Sequence, residues 1–248
     1  MSSDTKASSS TTIGSKASRS KVIVALDYNS AAEANQFVAS VSPELCKLKV
    51  GKELFTLAGP KFVQGLVNDG FDVFLDLKFH DIPNTVSSAV KVAADLGVWM
   101  TDVHASGGRR MMEGARNALE QSNSEMLLIA VTVLTSFDQN DMDELGFSCS
   151  PEQQVHRLAE LAKSSGMDGV VSSAMEAQAL RQALGDEFAL VTPGIRPASA
   201  AGDDQRRVVT PAQAIANGSS YLVIGRPITQ SDNPVSTLLA INQEISQD

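Results

Sequence analysis

Short β-branched apolar runs alternate along this chain with longer amphipathic stretches, and turn residues mark the junctions. KVIVALD (Lys21 to Asp27) is the first apolar run. Ser30 and Glu33 then have the spacing of a capping box and predict a helix through Val41. CKLKVG (Cys46 to Gly51) predicts a second strand carrying Lys47 and Lys49, and Pro60 predicts the start of a helix through Val67. Asp69-Gly70 reads as a turn, Phe71 to Leu77 as the third strand, and Asn84 or Thr85 as the cap of a helix to Leu96 that Gly97 ends. Val98 to His104 is the fourth strand, followed by Ser106-Gly107-Gly108 and a helix to about Glu120. Met126 to Thr135 is the fifth and most apolar.

After a longer connection, Ser150-Pro151 opens a helix with Val155, Leu158, Ala159 and Ala162 on one face. Asp168 to Ser173 is the sixth strand, and Ser173 with Glu176 repeats the capping-box spacing. Phe188 to Gly194 is the seventh strand, Thr210-Pro211 caps another helix, Tyr221 to Gly225 is the eighth strand, and Pro234 begins a closing helix. Eight alternations of strand and helix, with the strands buried on both faces, predict an α/β fold of the (β/α)8 TIM-barrel type. An open doubly wound sheet is the alternative. It usually carries a glycine fingerprint after the first strand, and DYNSAAE is not one. No repeat or interdomain linker interrupts the pattern, so residues 21–248 are expected to form a single barrel domain.

One run departs from the apolar rule. VFLDLKFHDIPNT (Val73 to Thr85) places Asp76 and Lys78 on the same face of a strand, about 7 Å apart at the backbone. His80 and Asp81 follow before Ile82-Pro83 redirects the chain. Such groups at the end of an apolar strand are costly to desolvate unless they meet one another or a ligand. On the barrel reading Asp27, Lys49, Asp76, Lys78, His104, Thr135, Pro193 and Gly225 all fall at C-terminal strand ends, the rim where such barrels carry their chemistry. His104 alone would be an ordinary satisfied rim residue. Convergence of the whole set on one mouth points to catalysis.

Gly225 and Arg226, directly after the eighth strand, have the position of a phosphate site built from backbone N–H groups and a guanidinium. The loop from Ile195 to Val209 carries Arg196, Gln205, Arg206 and Arg207 and is long enough to act as a lid over a bound anion.

Composition narrows the class of partner. The 248 residues carry a net charge of −9, which disfavours nucleic acid and anionic membrane, so an anionic substrate requires a local basic pocket. The two cysteines, Cys46 and Cys149, have no metal-ligand spacing, the three histidines are scattered, and no protein metal site is evident. Reduced cysteines fit a cytoplasmic location. No run approaches the 18 or so apolar residues of a membrane span. Residues 1–20 are rich in Ser and Thr and lack the apolar core of a secretory signal, and they read as a disordered leader outside the fold.

DLKFHDIPNT (Asp76 to Thr85), with ALD (Ala25 to Asp27), KVG (Lys49 to Gly51), DVHASGG, VTVLTS, VTPGIRP and VIGRPIT, resembles bacterial orotidine 5′-phosphate decarboxylase from Lys21 to the C-terminus. The resemblance implies a cofactor-independent decarboxylation of orotidine 5′-phosphate to UMP in pyrimidine synthesis. It implies Lys78 as proton donor, Asp76 and Lys49 in the charged network around it, and Asp27 and Lys49 on the ribose. It places Thr135 by the pyrimidine and Arg196, Gln205, Gly225 and Arg226 on the phosphate. Asp81 and Thr85 would reach into the site of a partner subunit in a homodimer. Sugar-phosphate decarboxylases and aldolases of the same superfamily share Asp-x-Lys-x-x-Asp and require Mg²⁺, but HDIPNT and GIRP favour the orotidylate reading. A non-catalytic phosphate-binding barrel would have no need of the acid–lysine network, and a scaffold protein would bind no ligand.

Overall fold

The computed structural model describes residues 20–197 and 209–246. Eight parallel strands close into a barrel in chain order: β1 (Val22–Ala25), β2 (Lys47–Gly51), β3 (Val73–Phe79), β4 (Met100–His104), β5 (Leu127–Val131), β6 (Gly169–Val171), β7 (Ala189–Thr192) and β8 (Tyr221–Ile224). Closure is made by β1 and β8, with Ile23 opposite Val223. The strands read as near-continuous apolar runs because both faces are covered. Outward residues such as Val24, Leu48, Leu75, Leu128 and Leu190 pack beneath the helices, whereas Ile23, Ala25, Phe74, Met100, Ile129, Val191 and Val223 fill the interior as a second cluster. The fold is the predicted (β/α)8 barrel.

The helices are α1 (Ala31–Val38), α2 (Lys52–Asn68), α3 (Pro83–Asp95), α4 (Arg109–Gln121), α5 (Gln139–Glu144), α6 (Pro151–Ser164), α7 (Ala177–Leu184), α8 (Pro211–Ala216), α9 (Arg226–Thr229) and α10 (Pro234–Glu244). Ser30, Ser150 and Thr210 each accept from the backbone N–H three residues on, as their sequence positions predict. Several boundaries differ from expectation. Helix α2 starts at Lys52, well before Pro60, and Gly59 (φ 68°, ψ −171°) breaks it so that Pro60 opens its second half. Helix α3 begins at Pro83 with no side-chain cap, so neither Asn84 nor Thr85 plays that part. The Ser173 and Glu176 side chains hold a turn before α7 instead of capping it. Strand β5 ends at Val131, and the remaining apolar residues to Thr135 leave the sheet for the rim.

Two interior features explain local sequence choices. A Cβ at Gly169 would lie 2.3 Å from the Ala189 carbonyl oxygen, so only glycine lets β6 approach β7 this closely. At the N-terminal end of the barrel the buried Lys47 ammonium pairs with Asp72 at 2.8 Å and sits 4.7 Å from the Trp99 ring centroid. That ion pair and cation–π contact close the bottom of the barrel and leave chemistry to the opposite mouth. Ser20 accepts a hydrogen bond from Val22 N and donates to Asn242 of α10. The rest of the expected leader, residues 1–19, lies outside the described residues. Among the described residues no helix is long and apolar enough to cross a membrane.

Candidate active site

Strand β2 sends Lys47 and Lys49 to the same inward face, one at the bottom of the barrel and one near its mouth. The Lys49 ammonium lies 3.3 Å from Asp76 Oδ2 and 3.3 Å from Asp27 Oδ1. The Lys78 ammonium closes on Asp76 Oδ1. Asp27, Lys49, Asp76 and Lys78 thus form one row of alternating charge across β1, β2 and β3. Gly51 makes space for it, because a Cβ there would stand 3.2 Å from the Lys49 ammonium. The Lys49 and Asp76 side chains are each 11% exposed, which keeps solvent screening weak between them, whereas Asp27 is 58% exposed. Burial works against ionising Asp76, but the Lys49 and Lys78 ammoniums outweigh it and hold the carboxyl at about 2. Burial likewise opposes charge on Lys49, and Asp76 and Asp27 together raise its pKa above the ordinary lysine value.

Lys78 reaches Asp76 through an irregular backbone. The β3–β4 register runs from Leu75 opposite Thr101 to Phe79 opposite Val103, so Asp76, Leu77 and Lys78 all face Asp102. Lys78 takes φ 52°, the left-handed region, at a cost of order 1–3 kcal/mol for a residue with a Cβ. Its N–H is held by Asp102 Oδ1 at 2.8 Å, and Thr101 Oγ1 donates to the Leu75 carbonyl at 2.9 Å beside it. Asp102, fully buried on the inward face of β4, does not stand out in VWMTDVH. The signal that could have found it is its period-two spacing from His104, which puts an acid on the inward face of β4.

The charged row forms one wall of a cavity of about 290 Å³ at the C-terminal mouth. Phe74, Val131, Val171 and Val223 supply its apolar floor, and Thr135 lies at its edge after β5. Arg196, Gly225 and Arg226 line the cavity beyond β7 and β8, and a Cβ at Gly225 would stand 3.4 Å from Asp27 Oδ2. Arg226 opens α9 immediately after β8, and Arg196 is buried at the base of the long loop, where its N–H bonds the Val209 carbonyl at 3.1 Å. A cavity whose lining joins an acid–lysine row, apolar side chains and two arginines can hold an anionic ligand that also has an apolar part. The model of the orotidine 5′-phosphate decarboxylase / HUMPS family matches residues 20–241. The chain belongs to this family.

Within the family it is similar to proteins named orotidine 5′-phosphate decarboxylase from Hahella chejuensis and Vibrio cholerae. The first is 62% identical over 225 residues, covering 91% of this chain and 97% of the relative. The second is 61% identical over 226 residues, covering 91% and 98%. Among solved structures, orotidine 5′-phosphate decarboxylase from Lactobacillus acidophilus superposes with a TM-score of 0.82 at 40% identity, covering 91% of this chain and 99% of that one.

The other residues picked out by sequence fall in different places. Asp27, Lys49, Asp76, Lys78, Thr135, Pro193 and Gly225 meet at the cavity, but His104 does not line it. Its ring stacks 5.3 Å from that of His80, and burial together with the neighbouring His80, Lys78 and Lys52 lowers its pKa to about 4. Asp81 and Thr85 are exposed and do not line the cavity; Asp81 Oδ1 accepts from Ile82 N at 2.6 Å. Gln205, with Arg206 and Arg207, lies outside the described residues.

Proposed function

We propose that this protein decarboxylates orotidine 5′-phosphate to UMP without a cofactor, in the cytoplasm, with Lys78 delivering the proton to C6. The observation that carries the reading is the Lys49–Asp76–Lys78 row lining one cavity together with apolar side chains, Arg196 and Arg226. Loss of CO2 from C6 leaves a carbanion with no electron sink of the kind that pyridoxal phosphate or thiamine supplies. An ammonium held at that carbon stabilises the developing charge and then protonates it. Asp76, kept ionised by its two lysines, orients Lys78. It also repels a substrate carboxylate placed against it, by roughly 5 kcal/mol at about 3 Å and an effective dielectric near 20. Departure of CO2 relieves that repulsion.

Asp27 and Lys49 take the ribose hydroxyls, Thr135 the pyrimidine edge, and Arg196, Gly225 and Arg226 the phosphate, joined by Gln205. Binding energy gathered at the phosphate, far from C6, is then available to the transition state. The protein acts as a homodimer in which Asp81 and Thr85 enter the partner's cavity; the exposure of Asp81 on the turn leaving β3 and of Thr85 in the first turn of α3 supports this arrangement. The test follows the ultraviolet absorbance of orotidine 5′-phosphate in excess EDTA. Metal-independent conversion to UMP is expected. No conversion, or conversion that stops with EDTA and returns with Mg²⁺, would overturn the proposal.

A further inference from the structure

Asp102 is fully buried and has no part in the chemistry described above, yet it holds the backbone of one member of the charged row and stands opposite another. One of its oxygens, Oδ1, accepts from Lys78 N at 2.8 Å, where the chain is left-handed and the sheet register slips. The other, Oδ2, is buried and meets no N–H or O–H donor among the described residues. Across the slipped register Asp102 stands opposite Asp76, both on the inward side of the barrel, so the Asp76 charge acts directly on it. Two neighbouring buried carboxylates disfavour simultaneous ionisation, which places a proton on one of them. Asp76 has two ammoniums within ion-pair distance and stays charged. Asp102 has no ion pair of its own among the described residues.

We propose that Asp102 is a positioning residue that acts as a neutral acid: it accepts from Lys78 N with one oxygen and donates its O–H to Asp76 with the other. It clamps the β3 bulge at both ends. The N–H of a strained residue is satisfied, and the acid that grips the Lys78 ammonium is fixed in rotation. Burial, reinforced by the adjacent Asp76 charge, pushes the Asp102 pKa well above the ordinary carboxyl value, in keeping with that state. The inference about catalysis rests on the proposed role of Lys78, whereas the protonation state does not.

Asparagine reproduces both contacts of a neutral acid, since its carbonyl accepts and its amide donates. Asp102→Asn is therefore expected to keep kcat within about threefold of wild type. Asp102→Ala frees the bulge and is expected to lower kcat by about 100-fold or more, with KM changed far less, as small misplacements of a reacting group do. Equal losses in the Asn and Ala variants would mean that a negative charge is required and would overturn the proposal, as would full activity in the Ala variant. An activity-independent measurement uses protein labelled with ¹³C at the aspartate carboxyls. At pH 7 one carboxyl should show the chemical shift of a neutral acid, and that signal should vanish in Asp102→Asn. Its absence from wild type would refute the neutral acid whatever reaction the protein catalyses.

Discussion

Replacing Lys49 with Met keeps an unbranched stem of similar length and removes only the ammonium, so it isolates what the charge contributes. At 3.3 Å from Asp76 Oδ2, with both side chains 11% exposed, the pair gains about 5 kcal/mol of Coulomb energy at an effective dielectric near 20. The second contact, to Asp27, has a partner that is 58% exposed and counts for less than about 1 kcal/mol. Removing one partner of a buried pair usually costs 3–5 kcal/mol, because it strands the other charge. Here Lys78 still pairs with Asp76, and Asp27 reaches water, so the expected loss lies at the low end, about 3 kcal/mol. In a barrel of this size that corresponds to a Tm lowered by roughly 6–12 °C. Urea unfolding of the ligand-free protein at pH 7 measures it directly, and a cycle with Asp76→Asn should return a coupling of at least about 1.5 kcal/mol. If Lys49→Met is as stable as wild type, or more so, desolvation of the ammonium cancels its attraction, and the argument that Lys49 keeps Asp76 ionised fails.

Arg226→Ala should lower kcat/KM for orotidine 5′-phosphate by about 10²-fold, the scale of lost charge-assisted hydrogen bonds, and should barely affect orotidine without its phosphate. An equal loss on both substrates would remove Arg226 from the phosphate. Mixing the inactive variants Lys78→Ala and Asp81→Asn under subunit exchange should return roughly a quarter of wild-type activity, because half the dimers are mixed and each has one intact site. No recovery, with exchange verified, would place Asp81 in its own chain's site. His104 releases its proton near pH 4 when folded but near 6.5 when unfolded, so the unfolded chain binds more protons between those values. Stability should therefore fall as the pH drops from about 6.5 to about 4, by on the order of 2–3 kcal/mol from this residue, and His104→Asn should flatten that part of the urea-derived profile.

The barrel was legible because strands covered on both faces must be apolar runs, and each such run is bounded by turn or cap residues that interrupt it. What the sequence hid lies where one signal masks another. Pro60 announced a helix start, but Gly59 only breaks a helix that had begun at Lys52. Helix α5 carries Met142 as its buried residue, too little for an amphipathic period, although Asp138 and Asp141 form a capping box at its start. Within the site, period two brought Asp76 and Lys78 to one face, and the alternation of β2 brought Lys49 to the rim. The means of contact was not readable. The positive φ of Lys78 and its support by Asp102 depend on a register slip between two strands, which no spacing within either one reveals.

The central claim is that Lys78 supplies the proton, and Lys78→Ala tests it most directly. Its turnover of orotidine 5′-phosphate should be followed by ultraviolet absorbance, beside calorimetric binding of UMP to the same preparation. Loss of both the general acid and the electrostatic stabilisation of the carbanion should reduce turnover by at least about 10⁴-fold. UMP should still bind, though more weakly, since the barrel and its phosphate end are untouched by a change at the mouth of β3. Turnover within tenfold of wild type would contradict the account.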